Sequence, residues 1–446
     1  TKETYVSTTA PAITQQTGFT REGVVEFSQL RNEPQWLRDW RLAAFATYES
    51  LPFPQRTDEE WRRTDLRALK LDKFAPYAGV GETVDSLTGI LPADSAGTSQ
   101  AGIIVQRDAA TIYTHVEQLP EGVIFTDLTT AVREHPELVQ QYLMTQAVPV
   151  NFGKFEALHA AFWQGGSFLY VPKGQSVELP LRSFAIAHTA GASLFNHTLI
   201  VVEDNAEAFL VDAYQSETKE GATFASSVVE LILGRGAKLR YVQLQDYGRN
   251  VWNMMTERAI LGRDATLNSL QVTLGSKWSK NSIGSHLRGE NSLAEMLGIF
   301  FGDSDQFFDH HTWQLHESPY ATSDLEFKGA LRDSARSVYS GLIKVSEGAQ
   351  KTDAYQQNRN LLLSREARAD SIPNLEIGAN DVRCTHGATI SQVVPEHVFY
   401  LQARGIPRTE AQKLIVEGFF RPVIDRIPDE GIQNFLEGAI ARKVGL

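Results

Sequence analysis

Asn205-Ala206-Glu207-Ala208-Phe209, Gly236-Ala237-Lys238-Leu239, Asp264-Ala265-Thr266-Leu267 and Glu290-Asn291-Ser292-Leu293 are four versions of one pattern, a turn-forming pair followed by alternating apolar residues. Their second residues lie 31, 28 and 26 positions apart. A small residue returning at one corner with a period in this range predicts the stacked coils of a β-solenoid, where each coil buries its apolar face against the next. A β-sandwich also has short, evenly spaced strands, but the period and the small corner residue favour the solenoid. Ser167 to Val171, Ser193 to Val202, Ala208 to Ala213, Ser227 to Leu233, Leu239 to Leu244 and Leu267 to Leu274 read as its strands, separated by Gly, Asp or Asn turns. Leu231, Leu233, Leu239 and Tyr241 then stack into one core, and Trp252, Trp278 and Trp313 read as packing residues.

On either side of this β-rich body the texture becomes helical. Thr1 to Thr20 reads as a loose arm, and Val24, Val25, Phe27 and Leu30 recur at helical spacing. A second helix begins near Pro34 and is stopped by Pro52 and Pro54, and Thr57 before Asp58, Glu59 and Glu60 signals a third. Another helix is expected from about Leu128 to Met144, after short apolar runs at Ile103 to Gln106 and Val123 to Phe125. Beyond Val394, helices are expected over Glu396 to Ala403, Glu410 to Phe420 and Gly431 to Lys443, with Gly405 closing the first. The expected division is a mostly helical part at 1–150, a β body at 151–394 and a helical tail at 395–446.

With 42 Lys and Arg against 54 Asp and Glu, the 446-residue chain carries a net charge of −12. That balance argues against nonspecific binding to nucleic acid or to anionic lipid. No run of apolar residues is long enough to span a bilayer, and the polar start offers no signal core, so a soluble protein of the cytoplasm is expected. Cys384 is the only cysteine, which excludes an internal disulfide and a thiolate cage made by this chain alone. No phosphate-binding loop, dinucleotide fingerprint, nucleophile elbow or His-Glu-x-x-His helix is present.

Two clusters could carry metal chemistry. Asp303, Asp305, Asp309, His310, His311, His316 and Glu317 form the densest polar group. On a strand, Asp309 and His311 share one face and His310 and His316 the other. Neutral imidazoles with carboxylates can hold zinc or iron, but imidazoles bonded to neighbouring coils is the favoured reading. In Arg383-Cys384-Thr385-His386-Gly387-Ala388-Thr389 a thiol and an imidazole lie two apart, on one face of a strand. Two donors do not close a site, and spacing alone favours a structural cysteine beside a hydrogen-bonded histidine. If the pair binds metal, the other ligands come from another subunit. In the tail, Phe399, Phe419, Phe420 and Phe435 exceed what a short segment can bury and must dock on the body or on another protein.

The run Lys351-Thr352-Asp353-Ala354-Tyr355-Gln356-Gln357-Asn358-Arg359-Asn360 followed by Leu361 to Leu363, then Pro373-Asn374-Leu375-Glu376-Ile377, then Asp381 to Thr389, closely resembles the SufB/SufD family of iron–sulfur cluster assembly proteins. So does Phe399-Tyr400-Leu401-Gln402-Ala403-Arg404-Gly405-Ile406. Glu60-Trp61-Arg62-Arg63-Thr64-Asp65-Leu66 and Cys384-Thr385-His386-Gly387-Ala388-Thr389 are similar to the SufD branch. The resemblance implies a mainly β protein, a right-handed parallel β-helix flanked by helical ends. It also implies a noncatalytic scaffold subunit that pairs with SufB and docks the ATPase SufC. On that implication His386 is the ligand to a transient iron–sulfur cluster or iron shared with SufB, with Cys384 beside it. Nothing would be held tightly by the isolated chain, which could pair with itself when alone. The terminal helices, with Phe399, Tyr400, Arg404, Gly405, Phe419 and Phe420, would carry the SufC contact. Two other classes remain to be weighed: a β-helix enzyme acting on polysaccharide, and a metal-dependent hydrolase built on His310 and His311.

Overall fold

From Ser167 onward consecutive strands alternate between two ten-stranded sheets, so each coil gives one strand to each sheet and the sheets enclose a lumen. The computed structural model describes residues 18–77, 81–91, 100–217, 220–427 and 429–444; the arm expected at the start lies outside these as far as residue 17. Sheet one runs through Ile124–Asp127, Ser167–Val171, Ala192–Val202, Thr223–Leu233, Val251–Leu261, Trp278–Leu287, Phe307–His316, Arg336–Val345 and Arg368–Ile377, with Ala75–Pro76 alongside. Sheet two runs through Ala110–Val116, Gly102–Arg107, Leu181–Ala187, Glu207–Ser216, Lys238–Asp246, Thr266–Thr273, Leu293–Gly302, Thr322–Leu331, Asp353–Leu362 and Arg383–Gln392. The strands from Ser167 onward pair with one another in parallel and in register, and among the described residues only Ile124–Asp127 with Ser167–Val171 and Gly102–Arg107 with Ala110–Val116 are antiparallel. The body is a parallel β-solenoid of about 8 turns, as the corner repeat predicts.

The corners explain the repeat. Asn205, Gly236, Asp264, Asn291, Tyr320 and Lys351 all adopt left-handed backbone, with φ between 54° and 65°. Each donates its N–H to a carbonyl of the next coil, from Asn205 to Arg235 (2.8 Å) through Lys351 to Asp381 (2.6 Å). The residue after each one is small and buried: Ala206, Ala237, Ala265, Ser292, Ala321 and Thr352. In the fourth copy the operative pair is therefore Asn291-Ser292, one residue later than the sequence pattern suggested. Close coil approach explains the glycines two residues ahead of the left-handed position. A Cβ on Gly289 would lie 1.9 Å from the Arg263 nitrogen.

Leu231, Leu233, Leu239 and Tyr241 join one lumen core, as expected. The outer faces of the sheets are covered by different layers. Helices Arg21–Leu30, Gln35–Ser50 and Lys154–Phe162 pack with Phe195, Phe224, Val228 and Trp278 on sheet one. Helices Arg408–Ile424 and Glu430–Val444 pack on Phe209, Val211, Val242, Leu244 and Val272 of sheet two. Trp252, Trp278 and Phe307 stack at successive register positions, with ring centroids 5.7 and 6.1 Å apart.

Three local expectations are corrected. The helix signalled by Thr57 and Asp58 is only a 3-10 turn, Glu59–Trp61, because Asp58 turns its carboxylate back onto the Gln55 N–H (2.8 Å) instead of capping forward. The helix over Leu128 to Met144 is broken into Leu128–Glu134 and Pro136–Tyr142, since His135 precedes proline and leaves helical geometry (φ −131°, ψ 48°). The helix expected over Glu410 to Phe420 continues through Pro422 to Ile424.

Candidate functional site

The last coil leaves one end of the solenoid uncovered among the described residues. Strand Ala192–Val202 is buried along its whole length, whereas most of Arg383–Gln392 is exposed. No further strand covers its free edge among the described residues, so a row of backbone donors and acceptors faces outward. Leu375, Ile377, Ile390 and Val394 are exposed on or beside these terminal strands. Pro373 lies in Arg368–Ile377, a placement tolerated in an edge strand.

Cys384 and His386 sit on this terminal strand. In parallel register Cys384 lies beside Ala354 and His386 beside Gln356, both lumen-facing and fully buried, so thiol and imidazole share the lumen side at its open end. The two residues are separated by roughly 7 Å along the strand. Cys384 packs partly against Ile343, Val345, Ala349 and Ala354, while His386 is exposed. Burial pushes the Cys384 thiol up from its ordinary value, and the Asp353 carboxylate pushes it further, against a smaller opposing effect of the Ala354 backbone. The thiol is thus protonated at neutral pH until a metal or a cationic group draws off the proton. Chemically the pair offers one soft and one borderline donor at an open edge. Among the described residues, no three His, Cys, Asp or Glu side chains converge as a metal site.

The His310 cluster divides as strand alternation requires. His310 and His316 face the lumen. His310 stacks on Phe300 (4.8 Å) and meets Thr273 Oγ1 (3.1 Å), and His316 Nε2 meets Ser323 Oγ (2.8 Å). Burial lowers both imidazoles to about 4. Asp309 and His311 face the N-terminal layer, where Asp309 meets His311 Nε2 (3.0 Å), Lys280 Nζ (2.8 Å) and Thr64 Oγ1. Burial raises the Asp309 carboxyl, but Lys280 and His311 outweigh it and hold it well below the usual range. These groups lie on opposite sides of one strand, His310 and His316 each bonded through one ring nitrogen, and do not share an ion.

In the tail, Phe399 and Tyr400 are 72% and 56% exposed on helix Pro395–Ala403. Arg404 and Gly405 follow at an exposed turn, with Gly405 at φ +84° and its N–H on the Gln402 carbonyl (2.9 Å). Phe419 is half-buried, its carbonyl held by Lys328 Nζ (2.9 Å). Phe420 has no exposed surface and belongs to the sheet-two core, so it drops out of the surface group. Sequence reading passed over Gln356, the buried neighbour of His386; the signal was its place one coil earlier in the same corner-to-strand register.

Two family models match the chain: the SufBD protein N-terminal region over residues 28–182, and the SufBD core domain of the SUF iron–sulfur cluster assembly system over residues 184–419. The chain is 32% identical to the iron–sulfur cluster assembly protein SufD of Bacillus subtilis over 438 residues, covering 95% of this chain and 98% of that one. It is 29% identical to SufB of the same organism over 427 residues, covering 93% and 90%. A SufBD family protein of Staphylococcus saprophyticus is 30% identical with the same coverage. No helix among the described residues is long and apolar enough to cross a membrane.

Proposed function

Because the chain belongs to the SufB/SufD family of iron–sulfur cluster assembly proteins, we propose that it is a SufD-like scaffold subunit in a cytoplasmic complex with SufB-like and SufC-like partners. The observation that carries the reading is the position of Cys384 and His386. A two-donor set stands at the uncovered edge of the last coil, where a second subunit could supply the remaining ligands. The nascent cluster, as cargo, would be held between the two subunits, with His386 as this chain's ligand and Cys384 adjacent. The exposed terminal strands with Leu375, Ile377 and Ile390 suit edge pairing with a similar solenoid, SufB-like in the complex or a second copy when the chain is alone.

ATP hydrolysis would rest with the SufC-like partner. Its docking on helix Pro395–Ala403, through Phe399, Tyr400, Arg404 and Gly405, would let ATP-driven movement shift the interface that shields the Cys384 and His386 face. The division at 1–150, 151–394 and 395–446 is part of this proposal. Co-expression with SufB-like and SufC-like proteins, followed by anaerobic purification and iron and sulfide assay, tests it. The expected result is a stable complex that loads iron and sulfide while the isolated chain loads neither. Stoichiometric iron or zinc on the isolated chain would instead favour a stand-alone metalloenzyme.

A further inference from the structure

Away from the last coil, a chain of hydrogen bonds runs from sheet one into the N-terminal layer. Glu230, on Thr223–Leu233, accepts the Met144 N–H through Oε2 (2.7 Å) and the Val148 N–H through Oε1 (3.1 Å). Two amide donors suit a carboxylate, so His197 Nε2, 3.1 Å from Oε2, carries the proton between them. With one proton on each ring, His197 Nδ1 accepts from His159 Nε2 at 3.2 Å. The lone pair of His159 Nδ1 then faces Ser226 Oγ at 3.1 Å, and the hydroxyl proton points at it. All four residues are buried, and burial holds His159 well below the usual imidazole range, so its ring is neutral.

The order of hydroxyl, base and groups that orient the base is that of an activated nucleophile. Ser226 also lines a cavity of about 160 Å³ between helix Lys154–Phe162 and sheet one, shared with Glu156, Thr256, Lys280 and His311. Lys280, held by Asp309 Oδ2 and the Glu60 carbonyl oxygen at 2.8 Å each, puts a cation in that wall. At about 30 Å³ per water-sized group, the cavity holds an acyl group of roughly five non-hydrogen atoms.

We propose that Ser226 is a reactive hydroxyl that takes a small acyl group from an ester or thioester, with His159 as base and His197 and Glu230 as positioning residues. The Ser226 oxygen lone pair forms the bond to the carbonyl carbon as its proton passes to His159 Nδ1, and the carbonyl π pair moves onto oxygen. Return of that pair expels the alkoxide or thiolate, which leaves with the proton from His159. Glu230, through His197, offsets the positive charge that His159 carries between the two steps. The assignment is independent of the cluster role.

The full-length chain, incubated at pH 7.5 with methanesulfonyl fluoride, tests it by intact mass and peptide mapping. A single methanesulfonyl adduct on Ser226 is expected, absent in Ser226→Ala and slower by about 100-fold or more in His159→Gln. Glu230→Gln, of equal shape, should slow labelling and change its pH profile, and an unchanged profile would overturn the positioning roles. No adduct on the folded wild-type chain, or an adduct that persists in Ser226→Ala, would overturn the proposal whether or not the histidine variant folds.

Discussion

His386 and Gln356 are in-register neighbours on the last two strands of sheet two, the amide fully buried and the imidazole beside it exposed. The backbone ladder with Asp353–Leu362 holds the strand, so the exposed ring can be removed without disturbing the coil. His386→Ala should change stability by no more than about 0.5 kcal/mol. Iron and sulfide recovered with the co-expressed complex should fall about tenfold, because a site assembled at an edge has no spare donor. Equal loading in mutant and wild-type complexes, measured anaerobically at matched subunit ratio, would remove His386 from the ligand set.

Cys384 reports the state of that edge. Burial and Asp353 raise its thiol, so the folded chain alone should react with iodoacetamide at pH 7 more slowly than the same chain in urea. The rate should keep rising with pH beyond the ordinary thiol midpoint. Mass spectrometry is unambiguous because the chain has one cysteine. Asp353→Asn should speed the reaction; a slower rate would contradict the electrostatic account.

The corner stack makes a sharper claim about stability. A Cβ at Gly289 meets backbone atoms of Gly262 and Arg263 within 2.4 Å, and backbone in a coil held on both sides cannot yield cheaply. Gly289→Ala should destabilise the protein by about 3 kcal/mol, read from a denaturant midpoint. Gly348→Ala, with open space at its Cβ position, should stay within about 0.5 kcal/mol.

These corners are also why the fold was legible. A left-handed residue followed by a small buried one is a local requirement, so it leaves a mark at fixed spacing in the sequence, as at Asp264-Ala265. Strand alternation likewise assigns His310 and His311 to opposite faces from the sequence alone. What stayed hidden depends on distant partners. Phe420 looked available because the outer face of sheet two, with Phe209 and Val242, cannot be told from a lumen face when both sides of a strand are apolar. Ser226, His159, His197 and Glu230 lie on three elements, and only the folded chain brings them together.

The lumen histidines give a pH signature. His310 and His316 are lowered by burial from 6.5 to about 4, so the unfolded chain takes up protons before the folded one does. Their contribution is fully present above pH 6.5 and is lost as pH falls towards 4, at up to about 1.4 kcal/mol per pH unit for each ring. His310→Gln should show a shallower fall in urea-midpoint stability over that window than wild type. An identical slope would mean that His310 is protonated in the folded state.

The tail separates surface from core within one short segment. Phe399 and Tyr400 are mostly exposed on Pro395–Ala403, whereas Phe420 is sealed between helix Arg408–Ile424 and sheet two. Phe399→Ala with Tyr400→Ala should leave the melting transition nearly unchanged, since exposed rings contribute little to folding. The same double variant should lose binding to the SufC-like ATPase, because desolvated aromatic anchors dominate the affinity of most interfaces. Phe420→Ala should behave in the opposite way, costing about 3–5 kcal/mol of stability through the cavity it leaves. Any loss of partner binding in Phe420→Ala should then follow the unfolded fraction and recover at lower temperature. Pull-down and thermal melts on the same preparations decide the matter. Full ATPase binding by the double variant would place the docking surface elsewhere and leave Phe399 and Tyr400 without the role assigned to them.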